Sequence, residues 1–142
     1  MGYFKDESEV YQYLGRIFEV SMSDHELGPK LRKVGSVLKL NQTDPESTIV
    51  IDFGEGVVQL GVDGEPKVNR KIDAELHMRA DTAHRFWLGK VNVALAMAKG
   101  EIKNKGKVSA VMKVVPITEP LFATYEQILR EAGREDLVEA VR

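Results

Sequence analysis

Residues 73–116 read DAELHMRADTAHRFWLGKVNVALAMAKGEIKNKGKVSAVMKVVP. Ala74, Leu76, Met78 and Ala80 alternate with Glu75, His77 and Arg79, a period of two that describes a strand with one buried and one wet face. The period then changes. Asp81 stands where a helix cap would, and residues 82–88 predict a short helix that buries Ala83, Phe86 and Trp87 before Gly89 closes it. Asn92 and Gly100 bracket a second short helix, 93–99, in the same way. From Ile102 the period of two returns. Ile102, Asn104, Val108, Ala110, Met112 and Val114 share one parity, Lys103, Lys105, Lys107, Ser109 and Lys113 the other, and Pro116 ends the strand.

Upstream, residues 7–24 predict a helix. Asp6 and Glu9 have the spacing of a capping box, and Val10, Leu14, Ile17, Phe18 and Ser21 follow helical spacing. Gly15 within it costs roughly 1 kcal/mol against Ala. Gly28-Pro29 reads as a stop. Three alternating runs follow. Val34, Ser36, Leu38 and Leu40 oppose Val37 and Lys39; Ile49, Ile51 and Phe53 oppose Val50 and Asp52; Val58, Leu60 and Val62 form the third. The turns between and after them are Thr43-Asp44-Pro45, Gly54-Glu55-Gly56 and Asp63-Gly64-Glu65-Pro66. Downstream, a helix begins near Thr118 with Pro120 in its first turn, carries Leu121, Phe122, Tyr125, Ile128 and Leu129, and stops at Gly133. Leu137, Val138 and Val141 predict a short terminal helix. The order implies an α+β fold: a five-stranded, antiparallel-rich sheet joined by hairpin-length connections, with helices on one face. Strands with one polar face are not expected to be covered on both sides.

The 142 residues fit one domain spanning 1–142, and a hydrophobic fraction of 43% excludes global disorder. No stretch approaches the roughly 20 apolar residues of a membrane helix. The opening MGYFKDESEV lacks the basic-then-apolar layout of a signal peptide, so a cytoplasmic location is expected. The absence of cysteine excludes disulfides, thiolate metal sites and a cysteine nucleophile. A net charge of −2 argues against a general polyanion binder, but the lysines are concentrated in residues 99–113.

The region from Asp73 to Met112 resembles the sterol carrier protein family, the nonspecific lipid-transfer proteins. The resemblance rests on Asp73, on Gly89-Lys90-Val91-Asn92, on Ala96-Met97, on Gly100-Glu101-Ile102-Lys103 and on Gly106. The departures are Val93 where proline is usual, Met97 for an aromatic, Glu101 for lysine and Asn104 for an apolar residue. The resemblance implies an apolar tunnel between sheet and helices. It also implies binding of a fatty acid, acyl-CoA or sterol-like lipid, with no active site and no cofactor.

The candidate ligand-binding residues are Leu76, Met78, Phe86, Trp87, Met97, Met112, Leu121, Phe122 and Tyr125. All fall on core-facing positions, and from the residues alone ordinary core packing is the better reading; the resemblance is what favours a cavity. The last helix is expected to close one end of the tunnel and to loosen for ligand. His77, Asp81 and His84 lack metal-ligand spacing and read as solvated histidines near an acid. Ser109, His77 and Asp52 could compose a hydrolase only by coincidence, since no nucleophile-elbow motif is present. Gly54, Gly56 and Gly61 do not form a dinucleotide fingerprint. Lys103, Lys105, Lys107 and Lys113 read as one solvated, edge-protecting strand face, or as a surface for a transient contact with an anionic membrane. Nucleic acid is not expected, because the aromatics are not interleaved with the lysines. Asn104 falls on the inward parity, where a bulge at Gly106, a backbone contact or a ligand contact would each account for it. A different reading of the same fold is an interaction or homodimerisation module with a filled core.

Overall fold

The computed structural model describes residues 2–63 and 65–141; Gly64, expected in the turn after the third strand, lies outside them. The first helix, α1, runs through Glu7–Val10, a π turn at Tyr11–Gly15 and Arg16–Met22. Asp6 caps it by accepting from the Glu9 N–H at 3.0 Å, while Glu9 accepts from the Lys5 N–H rather than from that of Asp6. Gly15 has a packing reason: a Cβ there would lie 2.7 Å from the Leu60 side chain, so glycine lets α1 approach the sheet edge.

Gly28-Pro29 does not stop a helix; it begins one. Helix α2 spans Leu27–Val34, with both residues in its first turn, where a proline has no N–H to lose. The Asp24 carboxylate accepts from the Glu26 and Leu27 N–H groups, and Gly35, at φ +70°, ends the helix. Val34 and Ser36 are therefore not strand residues.

The sheet contains β1 (Val37–Thr43), β2 (Ser47–Asp52), β3 (Val57–Leu60), β4 (Ala74–Arg79) and β5 (Lys103–Gly106), in the order β3-β2-β1-β4-β5. It is mixed. β4 pairs parallel to β1, Leu38 against Ala74 and Leu40 against Leu76, and every other pairing is antiparallel. The expected hairpin between β3 and β4 is instead a crossover, residues 61–73. It carries the chain over the face away from the helices, where Pro66, Val68, Arg70 and Ile72 share a groove with Lys39, Val50 and Gln59. Those last three form one cross-strand row. Gln59 accepts from the Lys67 and Val68 N–H groups. Arg70 donates from Nε to buried Asp52 at 2.9 Å and from Nη2 to the Gly35 carbonyl at 2.8 Å, and the guanidinium holds the Asp52 carboxyl below its ordinary range. The second face of the sheet is thus partly covered after all.

Helix α3 (Ala80–Trp87) follows β4 with no loop, two residues earlier than expected. Asp81 is in its first turn and accepts from the Tyr3 N–H at 2.8 Å, which ties the N-terminal segment down instead of capping the helix. Helix α4 (Val93–Lys99) matches expectation, with Asn92 accepting from the Leu95 N–H and Gly100 at φ +79°. The long last strand does not exist. Gly106, at φ +100°, ends β5, and Val108–Val114 is a helix, α5, continued by a 3-10 turn, Val115–Ile117. Ala110, Val111 and Val114 are its buried residues, a helical spacing, and Val108 and Met112 face out. Helices α6 (Glu119–Glu131) and α7 (Glu135–Glu139) complete the chain. The inner row of the sheet, Leu38, Leu40, Ile49, Ile51, Ala74 and Leu76, forms one core with Phe18, Leu31, Ala83, Val111 and Leu121.

Candidate functional site

The apolar cavity lies between the inner face of the sheet and helices α1, α3, α4 and α5. Leu38, Leu40 and Gln42 of β1, Ile51 of β2, and Leu76 and Met78 of β4 form its floor. Ala83, Phe86 and Trp87 of α3, Val93 of α4, and Val111, Val114 and Val115 at α5 form its roof and flank. Its volume is about 50 Å³. That accommodates a few waters, whereas a lipid site needs several hundred Å³, on the order of 300 or more. The space is filled by aromatic rings packed edge to face. Trp87 meets Phe18 at 5.3 Å and Phe86 at 4.8 Å between centroids, and Phe122 meets Phe86 at 5.6 Å. Among the described residues this cavity has no open acyl-length tunnel.

The candidate residues separate. Leu76, Met78, Phe86 and Trp87 line the cavity. Phe122 is half-buried and backs it through its ring contacts with Phe86 and Trp87. Leu121 and Tyr125 are fully buried in the core behind it, Met97 packs against the core from α4, and Met112 is 41% exposed on the outer side of α5. The parity that placed Met112 inward belonged to a strand that is a helix. Leu121, Tyr125 and Leu129 anchor α6 in the core, while Thr118 at its start and α5 with its 3-10 turn lie beside the cavity.

Two polar residues stand in the wall, Gln42 and Thr118. The Thr118 hydroxyl donates to the Val115 carbonyl at 2.7 Å. Gln42 accepts from the Ser47 hydroxyl at 3.1 Å, and its Nε2 amide has no hydrogen-bond acceptor among the described residues. Continuing the inward parity of Leu38 and Leu40 by two residues would have found it.

Asn104 lies opposite Leu76 in the β4–β5 pairing and so faces the helical side, but it does not line the cavity. Its Nδ2 donates to the Gly106 carbonyl at 3.3 Å, and its Oδ1 has no partner. Of the three arrangements considered, the backbone contact is the one present. Asn104→Leu is expected to change stability by no more than about 0.5 kcal/mol, because a long hydrogen bond and an orphaned oxygen disappear together; a urea titration checks this.

His84 is not solvated. It is fully buried, with Nε2 2.8 Å from the Leu137 carbonyl and Nδ1 2.7 Å from the Tyr125 hydroxyl. A carbonyl only accepts, so Nε2 carries the proton and Nδ1 accepts from Tyr125, the arrangement of a neutral imidazole. Tyr3 and Phe4 cover the ring. His77, by contrast, is exposed on the outer face of the sheet. Among the described residues no group of His, Asp and Glu could hold a metal ion. The imagined hydrolase fails on register. Asp52 is level with Val37 and His77 with Asn41, four residues along β1 and hence about 13 Å apart. Asp52 is moreover committed to Arg70.

The sequence matches the SCP-2 sterol transfer family over residues 14–119. The chain belongs to that family. No curated protein matches it. Among solved structures, sterol carrier protein domain 2 of Helicoverpa armigera superposes with a TM-score of 0.64 at 20% identity, covering 87% of this chain and 95% of that one. Apo sterol carrier protein 2 from Yarrowia lipolytica gives 0.59 at 16% identity, with 75% and 87% covered. Sterol Carrier Protein-2 from Aedes aegypti in complex with palmitate gives 0.52 at 20% identity, with 80% and 94% covered. At these identities the likeness concerns the fold. In this SCP-2 family member the residues that carried the family resemblance hold backbone geometry. Asp73 accepts from the Val37 N–H at 2.9 Å and fastens β4 to β1; Asn92 and Gly100 begin and end α4; Gly89, at φ +80°, lies against the Phe122 ring.

Proposed function

We propose that the cavity is the closed form of a lipid site, and that the protein binds and carries one hydrophobic ligand of the fatty acid, acyl-CoA or sterol-like class. The single observation behind this is the composition of the wall: seventeen residues, all apolar but Gln42 and Thr118, between two layers of a fold whose Aedes aegypti member was solved with palmitate. Opening requires Phe86, Trp87 and Phe122 to change rotamer and α5 to move outward. Leu76, Met78, Phe86 and Trp87 then contact the chain, and the Gln42 amide donates to its polar end. Met97, Leu121, Phe122 and Tyr125 support that wall from behind. The proposal assigns no reaction and no cofactor to the protein.

The second reading, a filled-core interaction or dimerisation module, is favoured by the small cavity volume. A titration with a fluorescent fatty acid separates the two. Trp87 is the only tryptophan, so its emission reports the site directly. Saturable quenching at micromolar ligand is expected, and Ala83→Phe, which fills the cavity from α3, should reduce the affinity at least about tenfold while overpacking costs about 1–3 kcal/mol. Quenching of equal affinity in both proteins would favour the filled-core reading.

A further inference from the structure

Gln42 is the polar residue of the cavity floor, and its surroundings limit what it can take. The residue is 3% exposed, continues the inward row of Leu38 and Leu40, and stands level with Met78 at the end of that row. Its Oε1 accepts from the Ser47 hydroxyl at 3.1 Å, so Nε2 is left as the free arm of the amide. The two N–H groups on Nε2 meet no acceptor among the described residues. An acceptor brought by a ligand regains what this unpaired donor forgoes in the empty site.

Charge decides which acceptor. None of the seventeen wall residues is ionisable to a cation or an anion. The cation next along the floor, Arg79, follows Met78 in β4 and is already shared by Asp44 at 3.5 Å and Asp81 at 4.0 Å. A carboxylate placed at Gln42 would be buried without a counter-ion, which costs far more than burying an ester or a ketone. We infer that Gln42 is a specificity-determining residue of the cavity, selecting ligands whose buried end is an uncharged carbonyl over ligands that end there in a carboxylate. The inference rests on the lipid-site reading above. A fatty acid then enters methyl end first, keeps its ionised head outside and makes no use of Gln42. An ester or a long-chain ketone presents its oxygen to Nε2.

Ser47 sets the sense of this choice. Its hydroxyl also lies 3.2 Å from the Pro45 carbonyl. With the hydroxyl proton on Gln42, the amide offers N–H to the cavity; with the proton on Pro45, the amide could turn over and offer its oxygen, which takes a hydroxyl. The Pro45 contact also keeps Ser47 paired when Gln42 is replaced by an apolar residue.

The test is displacement of a fluorescent fatty acid, followed through Trp87 emission, by probes of similar chain length: methyl laurate, methyl undecyl ketone, laurate and dodecanol. Gln42→Leu is expected to weaken the ester and the ketone about fivefold to tenfold, the worth of one neutral hydrogen bond, and to leave laurate within about twofold. Unchanged laurate displacement also shows that the variant is folded. Gln42→Met, which keeps the length of the side chain without its donor, is the second variant and should behave alike. A loss confined to the ester or to the ketone supports the inference and tells the two carbonyl classes apart. Equal losses for laurate and the ester, or no loss for either carbonyl probe, overturn it. A larger loss for dodecanol than for the ester also overturns it, because the amide would then face the other way. If the fluorescent fatty acid does not bind at all, the lipid site fails and the inference with it. If it binds and no probe depends on Gln42, the site stands and the inference alone fails.

Discussion

The His84→Ala variant is expected to lose about 3–5 kcal/mol of folding stability. The loss combines a buried void with two stranded polar groups, the Tyr125 hydroxyl and the Leu137 carbonyl, in a site closed to solvent. His84 joins α3, α6 and α7, and the N-terminal Tyr3 and Phe4 pack on its ring. Its removal therefore loosens four segments at once. Tyr125→Phe, which strands only Nδ1, should cost about 1–2 kcal/mol. The wild-type protein should also be acid-sensitive here. Burial holds the imidazole below its ordinary value of 6.5; the Leu137 contact and Asp81 pull it up, and Arg85 and Arg134 push it down. Below pH 6.5 the unfolded chain takes up a proton that the folded chain refuses. Stability is therefore full above that pH and falls as acid is added, through the lower folded value. Protonation would place an N–H on both ring nitrogens, so Tyr125 could no longer donate to Nδ1. Denaturant midpoints measured across pH 5–7 should show a steeper slope for wild type than for His84→Ala; parallel slopes would contradict this account.

Gly106→Ala is the second large effect, an expected loss of about 2–4 kcal/mol from a single added methyl. At φ +100° a side chain is strained, and its Cβ would meet the Asp73 carbonyl oxygen at 2.6 Å and the Ala74 Cα at 3.1 Å. Both are backbone atoms at the start of the paired strand β4 and cannot rotate away. The Asp73 carbonyl also accepts from the Lys107 N–H at 2.9 Å, the bond that turns the chain from β5 into α5. Relief of the clash separates β5 from β4 and displaces the helix beside the cavity. Hydrogen exchange should show the loss concentrated in 103–114. A uniform change across the sheet would mean that this contact is not where the strain falls.

The elements that the sequence specified well carry their own punctuation. Asn92 and Gly100 delimit α4 because each performs a backbone task visible in its residue type, and the alternation of Ala74 to Arg79 needs no context. Residues 108–114 misled because Val, Ala and Met alternate with Ser and Lys while also matching helical spacing at Ala110, Val111 and Val114. The deciding signal is Gly106, which ends the strand at a positive φ rather than bulging within it. At α2 the Gly28-Pro29 pair suggests a stop, but Asp24, three residues before Leu27, accepts from the Leu27 N–H and lets the helix begin there. The parallel β1–β4 pairing was illegible because the crossover 61–73 has no period, and its hold on the sheet comes from Arg70 and Gln59, polar residues without a pattern. At the candidate site, Leu76, Met78, Phe86 and Trp87 were legible from one strand and one helix. Gln42 was legible only by carrying the inward parity of Leu38 and Leu40 two residues further; His84 was not, because a lone polar residue declares neither its burial nor its partners.

The central claim is that a cavity of about 50 Å³ opens to hold a lipid. Native mass spectrometry of the purified full chain, before and after incubation with palmitate, tests it most directly. The expected result is a 1:1 adduct, either a co-purified lipid or the added fatty acid, that survives gentle desolvation and is reduced in Ala83→Phe. An unliganded mass under both conditions, with the protein folded, would contradict the account.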